Sequence, residues 1–319
     1  MRNHSLDTLK FICAVLVVML HFKTPWQHYY LPVTRCAVPV FFIISGYFLM
    51  GDEMIRRMRK GSRRILVIIV YSSILFAFVS YARHGFNLGS IIPPASKIVN
   101  FLLLNDNPWA FHLLYLSAYL YVLLLCIIID KYKLWTIAFG AVPFLLVTDL
   151  VFGKYSLLIL NREYPYVLVR NFLFVGLPYF LIGAYIKKLG KQAYIKVEML
   201  LGGVLLFSFT SIVENRLLIV LGLNPERDHY LSTTFLAVSL FLLFLNRMQE
   251  KPTAISIMGA RDSLYIYIFH PIWMYFFYMV NGMMPESKIA DFLSIVSPII
   301  ILGCTIIQIM LLRKVKMIQ

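Results

Sequence analysis

Lys10 and His21 stand eleven positions apart in the stretch SLDTLKFICAVLVVMLHF, which is otherwise mostly apolar. On a helix that spacing is three turns, so ammonium and imidazole share nearly one face, roughly 16 Å apart along the axis. A charge at the centre of a membrane span costs about 2.5–3.5 kcal/mol on insertion scales, so each ionisable group in such a stretch is a candidate functional group. The imidazole is a candidate acid–base or nucleophilic group and the ammonium a candidate anion-binding group. Other ionisable residues sit on or beside apolar runs: His112, Asp149, Arg170 and His270. Each also has a plain role open to it. Lys10 can snorkel to the interface, His21 can pack near a span end, and His270 can bond a carbonyl freed by Pro271. Asp149 can orient a histidine or pair with Arg170. His28, His84 and His229 read as ordinary loop residues.

The elements that must carry these groups are apolar throughout. Of 319 residues 60% are hydrophobic and only 14% charged, with a mean hydropathy of +0.78, well beyond what water-soluble domains show. Apolar runs near the length needed to cross ~30 Å of hydrocarbon place spans at about residues 5–22, 33–50, 65–82, 110–129, 134–152, 170–186, 197–213, 230–245, 264–280 and 292–312. The expected fold is an all-α polytopic transmembrane helix bundle of about ten spans, one membrane domain over residues 1–319. Apolar stretches at residues 98–104, 157–160 and 217–221 in the longer connections predict short interfacial helices. No internal repeat or low-complexity tract is visible.

The net charge of +15 follows a topology rule better than a nucleic-acid footprint, because the basic residues sit in short tethers between apolar runs. Alternate loops place twenty of the 30 basic residues on one side, including Lys10, residues 56–64, Arg261, Arg313 and Lys314. Lys and Arg near span ends are retained in the cytoplasm, so that side is inside, with both termini. The run after the first apolar stretch, Lys23, Pro25 and Trp26, lacks a small-residue cleavage pattern, so the first span stays as a helix. Cys13, Cys36, Cys126 and Cys304 lie in apolar runs without paired spacing, which argues against a disulfide framework and a metal site.

SLDTLKFICAVLVVMLHF is similar to the opening of the membrane acyltransferase 3 family, with Asp7, Leu9, Lys10 and His21 in the motif places. VPVFFIISGYFL resembles the family's Phe-Phe-x-x-Ser-Gly-Phe/Tyr stretch, through Ser45, Gly46 and Tyr47, and the basic cluster ending Arg63-Arg64 follows. HLLYLSAYLYVLL from His112, RNFLFVGLPYFLIG from Arg170 and SLYIYIFHP from Ser263 continue the match nearly end to end. Two departures stand out. Lys10 replaces the usual arginine and lacks its bidentate fork, and Pro39-Val40 replace an acidic residue before Phe-Phe. The variant resembles the branch holding polysaccharide O-acetyl- and O-succinyltransferases and the membrane domain of some serine racemases.

The resemblance implies an acyltransferase, carrying acetyl or succinyl from a cytosolic acyl-CoA co-substrate to a hydroxyl of a cell-surface or lipid-linked glycan. It implies a multi-pass protein of a bacterial-type cytoplasmic membrane, whose partners are bilayer, acyl-CoA and saccharide acceptor, with no tightly bound cofactor. On that reading Lys10, Arg63 and Arg64 bind the donor, His21 acts as general base, and His270 and His112 are further catalytic candidates. Ser45, Tyr47, Tyr115, Asp149, Arg170 and Asn171 bind the acceptor or shape the site, Ser45 and Gly46 by permitting close helix approach. Two other classes remain: a transporter or flippase of a lipid-linked or small anionic solute, and a structural or sensory membrane domain. Broken helices in matching halves, a common transporter signature, are not visible, and a purely structural domain gives no reason for Lys10 and His21 in register.

Overall fold

The computed structural model describes residues 3–22, 24, 26–190, 194–223, 227, 229–247, 249, 251–283 and 288–318, without the side chains of Ser90 and residues 288–291. Arg2, Lys23, Pro25, Lys191 and the side chain of Lys288, which entered the sequence reading, lie outside this set. The chain is an all-α polytopic helix bundle, 80% helical, with no strand among the described residues. That is what hydrocarbon requires of an open chain, because a helix satisfies every backbone polar group within its own segment.

In chain order the helices are α1 (His4–Leu20), α2 (Gln27–Thr34), α3 (Ala37–Leu49), α4 (Met54–Arg83), α5 (Ala95–Leu104), α6 (Leu114–Lys131) and α7 (Trp135–Phe152). They continue as α8 (Ser156–Leu160), α9 (Leu177–Leu189), α10 (Val197–Val220), α11 (Leu231–Asn246), α12 (Ala254–Arg261), α13 (Ser263–Gly282) and α14 (Lys288–Lys314). Among the described residues eight helical stretches, one of them α2 and α3 together, are long and apolar enough to cross a membrane. The other two expected crossings, α1 and α11, have 17 and 16 residues, close to the lower limit of about 17 for a span.

Helix α4 is the longest at 30 residues, about 45 Å at 1.5 Å per residue. That exceeds the hydrocarbon, so its basic first half projects beyond the apolar part. The expected short helices at 98–104 and 157–160 are α5 and α8. The stretch at 217–221 is instead the last turn of α10, which runs on to Val220 because no proline or glycine interrupts residues 204–220. Helix α12 was not anticipated. Thr253 starts it through a capping box with Ser256, a local signal that satisfies otherwise orphaned N–H groups.

Two compact units form. One comprises Met1–Val38, Ile195–Arg216 and Ser232–Gln319, the other Pro39–Tyr194 and Leu217–Leu231. In the second unit, α3 and α9 cross at glycines on both sides. A Cβ on Gly46 would collide with the Phe180 carbonyl, and one on Gly183 with the Ile43 carbonyl. Small residues let membrane helices meet backbone to backbone, which is the packing expected of Gly46. Arg57 closes the C-terminal end of α3 by donating to the Phe48, Leu49 and Asp52 carbonyls, a cation placed where a helix leaves carbonyls unsatisfied. In the first unit, Gly259 of α12 lies against the Asp7 carbonyl and the Phe11 amide of α1 so closely that any side chain would clash.

Candidate active site

Within the first unit, Asn3 caps α1 by accepting from the Ser5 and Leu6 amides, and the helix ends at His21. Near its start, Lys10 Nζ pairs with Asp7 Oδ1 at 2.9 Å, one turn back on the same helix. The carboxylate is nearly buried while the lysine side chain keeps 26% of its exposure. At the far end, the half-buried His21 ring stacks on His270 of α13, with centroids 5.4 Å apart and planes inclined by 26°. Tyr278, further along α13, donates from its hydroxyl to the His21 carbonyl at 3.3 Å.

His270 is fully buried. Its Nδ1 lies 3.0 Å from the Ile266 carbonyl, and since a carbonyl only accepts, Nδ1 carries the proton and a neutral ring has its lone pair on Nε2. The bond goes to the carbonyl one residue before that of Tyr267, which is the one Pro271 leaves without an amide donor. So α13 does two things at once: it tolerates a proline within a helix, and it holds one imidazole in a defined tautomer against another. Two of the three histidines expected to carry chemistry are thereby brought together.

The remaining expected residues belong to the second unit, as do Arg63 and Arg64, which are exposed on α4. His112 is buried edge-on against Phe76 at 4.4 Å. Tyr115 stacks parallel to Tyr119 at 6.2 Å and meets Phe42 edge-on at 4.9 Å. Tyr47 lies under the Lys187 ammonium at 5.0 Å, and Ser45 donates to the Phe41 carbonyl of its own helix. The Asn171 side-chain carbonyl oxygen accepts from the Leu173 and Phe174 amides, and its amide donates to the Leu168 carbonyl at 2.8 Å. It thus caps a π-type turn, Phe172–Gly176, that leads into α9. Arg170 lies over the rings of Phe111 and Tyr166, at 4.6 and 5.3 Å.

Of the two roles expected for Asp149, contact with a histidine is present. Its Oδ2 lies 2.6 Å from His229 Nδ1, with both side chains below a tenth exposed. His229 is thus a loop residue, as its sequence suggested, but a buried one held by a carboxylate. Beside it Tyr230 is fully buried and carries the Lys154 ammonium 3.5 Å above its ring, the lysine itself 1% exposed. Tyr179 of α9 meets His229 at 5.6 Å. The one sequence signal for this cluster was Asp149 at the end of an apolar run.

Comparison with known proteins decides the family. Residues 3–313 match the family described as an acyltransferase domain. The chain belongs to that acyltransferase family. Two relatives are similar at lower identity. A "Serine/alanine racemase" of Enterococcus gallinarum is 25% identical over 293 residues, covering 85% of this chain and 41% of that protein. An "Amino-acid racemase" of Enterococcus faecalis is 26% identical, covering 99% of this chain and 46% of that protein. The acyltransferase chain spans less than half the length of both. No solved structure matches. A membrane-embedded acyltransferase needs a place for an activated acyl donor and a group that takes the acceptor's proton, and the stacked imidazoles at the end of α1 suit the second need.

Proposed function

We propose that this acyltransferase moves an acetyl or succinyl group from a cytosolic acyl-CoA to a hydroxyl of a cell-surface or lipid-linked glycan, as a multi-pass protein of a cytoplasmic membrane. The observation carrying the proposal is that His21, at the end of α1, meets His270 within a chain that matches an acyltransferase family along almost all its length. His21 is the partly exposed member and the one a substrate hydroxyl can approach. In this reading His21 takes the hydroxyl proton as the oxygen attacks the thioester carbonyl; the C–S bond then breaks and the departing thiolate is reprotonated. His270, held by the Ile266 carbonyl, keeps the His21 ring in place and supplies a polar face to the imidazolium that forms. In the first unit Lys10, and in the second unit Arg63 and Arg64, are the cations available to a donor phosphate.

The test follows radiolabelled acetyl-CoA into membrane glycans in opened vesicles. The protein should transfer label, and His21→Ala should abolish transfer while inserting normally. Full-rate transfer by an inserted His21→Ala variant would remove His21 from the mechanism. No label in any membrane fraction, with acetyl or succinyl donors, would remove the acyl-CoA reading itself.

A further inference from the structure

Two guanidinium groups converge on one buried carboxylate at the joint between α12 and α13. Asp262 is the residue between the two helices, the C-cap of α12 and the N-cap of α13, and its side chain is 5% exposed. Arg261 reaches it through two edges, Nε to Oδ1 at 3.1 Å and Nη2 to Oδ2 at 3.1 Å. Arg313, in the last turn of α14, donates from Nη2 to Oδ1 at 2.7 Å. One negative charge therefore faces two positive ones, and Lys314 adds a cation to the same turn of α14.

A carboxylate needs only one arginine for a bidentate pair. Here it aligns two, and Arg261 is still 47% exposed after spending Nε and Nη2. Gly259, two residues before Arg261, packs against α1 at Asp7 and Phe11. That contact brings the Asp7–Lys10 pair alongside the same end of α12. All these cations fall on the side that the charge asymmetry assigns to the cytoplasm.

We propose that Arg261 and Arg313, aligned by Asp262 and flanked by Lys10, form a phosphate-binding site at the inner end of the first unit. The chemistry recognised is a phosphate monoester or diester, whose oxygens planar guanidinium forks match. Two sources carry that group on this side of the membrane, the nucleotide end of an acyl-CoA and the headgroup of an anionic lipid. Only the first source rests on the acyltransfer reading above, and there the aligned guanidinium forks supply the bidentate geometry that Lys10 alone, a single point charge on a flexible stem, does not.

The experiment uses full-length protein in nanodiscs, comparing wild type with Arg261→Gln and Arg261→Lys. Arg261 is half exposed, so both variants should fold; Arg313→Gln serves as a second variant. In nanodiscs of neutral lipid, calorimetric binding of coenzyme A and of 3′,5′-ADP is measured. In a second arm, thermal stabilisation by added phosphatidylglycerol is measured without nucleotide. If the phosphate comes from the donor, Arg261→Gln weakens coenzyme A and 3′,5′-ADP by about tenfold or more, and Arg261→Lys recovers only part. If it comes from lipid, nucleotide affinity is unchanged and the phosphatidylglycerol effect is lost. Unaltered response of folded Arg261→Gln in both arms overturns the site. The outcomes separate from those of the acyltransfer reading: phosphate binding lost in Arg261→Gln without any acyl transfer by wild type keeps the site and removes the function, whereas acyl transfer with both binding arms unaltered does the reverse.

Discussion

The two units each hold a paired histidine, and the pairs are built in opposite ways. His21 is partly exposed and rests on another imidazole, His270. His229 is sealed, its side chain 4% exposed and 2.6 Å from a carboxylate, with the buried Lys154 over the neighbouring tyrosine. A charged cluster in a low-dielectric interior is strongly held once assembled and strongly destabilising once broken, because removing one member leaves another charge uncompensated. An imidazole on a ring face is held loosely and stays approachable. The difference teaches where to look for turnover and where for architecture: the acid–base group should be the reachable one, and the tighter carboxylate–imidazole contact should fasten His229 and Tyr230 to the end of α7.

The sharpest break between the two is a pair of substitutions read by two measurements. His21→Ala should lower acyl transfer by about 10²–10⁴-fold, the usual contribution of a positioned acid–base group, with the thermal unfolding midpoint in detergent unchanged. Asp149→Ala should do the reverse in kind, lowering stability by about 3–5 kcal/mol by stranding its partners, seen as loss of folded yield and a lower midpoint. If Asp149→Ala unfolds no more readily than wild type, the sealed cluster is not structural and the contrast between the units collapses. A third substitution sharpens the second unit's side of it. Gly183→Val forces a branched side chain against the Ile43 carbonyl and should destabilise by about 1–3 kcal/mol or more, while Gly140→Ala, with open space around its Cβ position, should not. Equal midpoints for the two glycine variants would mean that the α3–α9 crossing relaxes freely.

Fold class and span positions were readable because hydropathy integrates over some twenty residues, so local errors average out. What escaped was short or non-local. Helix α12 has only eight residues, too few for a periodic signal, and its start rests on the Thr253–Ser256 exchange alone. Lys10 and His21 were found from spacing, since a helix fixes which face residues share. Their true partners, Asp7 for one and His270 for the other, differ in legibility for the same reason: Asp7 is one turn away, whereas His270 lies 249 positions on and reaches His21 only through packing. Asp149 and His229 are 80 apart. A histidine in the polar stretch NPERDHY offers no sequence sign that the loop carrying it is buried.

The smallest expected effect tests how the reachable pair is held. Tyr278 donates to the His21 carbonyl at 3.3 Å and remains exposed, so Tyr278→Phe removes one long bond at the rim and should cost no more than about 0.5–1.5 kcal/mol. Its consequence for turnover depends on what sets the position of the His21 ring. If stacking on His270 suffices, transfer by Tyr278→Phe stays near wild type and His270→Ala, which removes the ring beneath, lowers it well beyond that. If the end of α1 must be tied to α13 through its backbone, Tyr278→Phe slows transfer as much as His270→Ala does, and the imidazole face is then not what places the base. Steady-state transfer rates for the two variants, normalised to folded protein, distinguish these because both changes lie on α13, one at the backbone end of His21 and one at its ring.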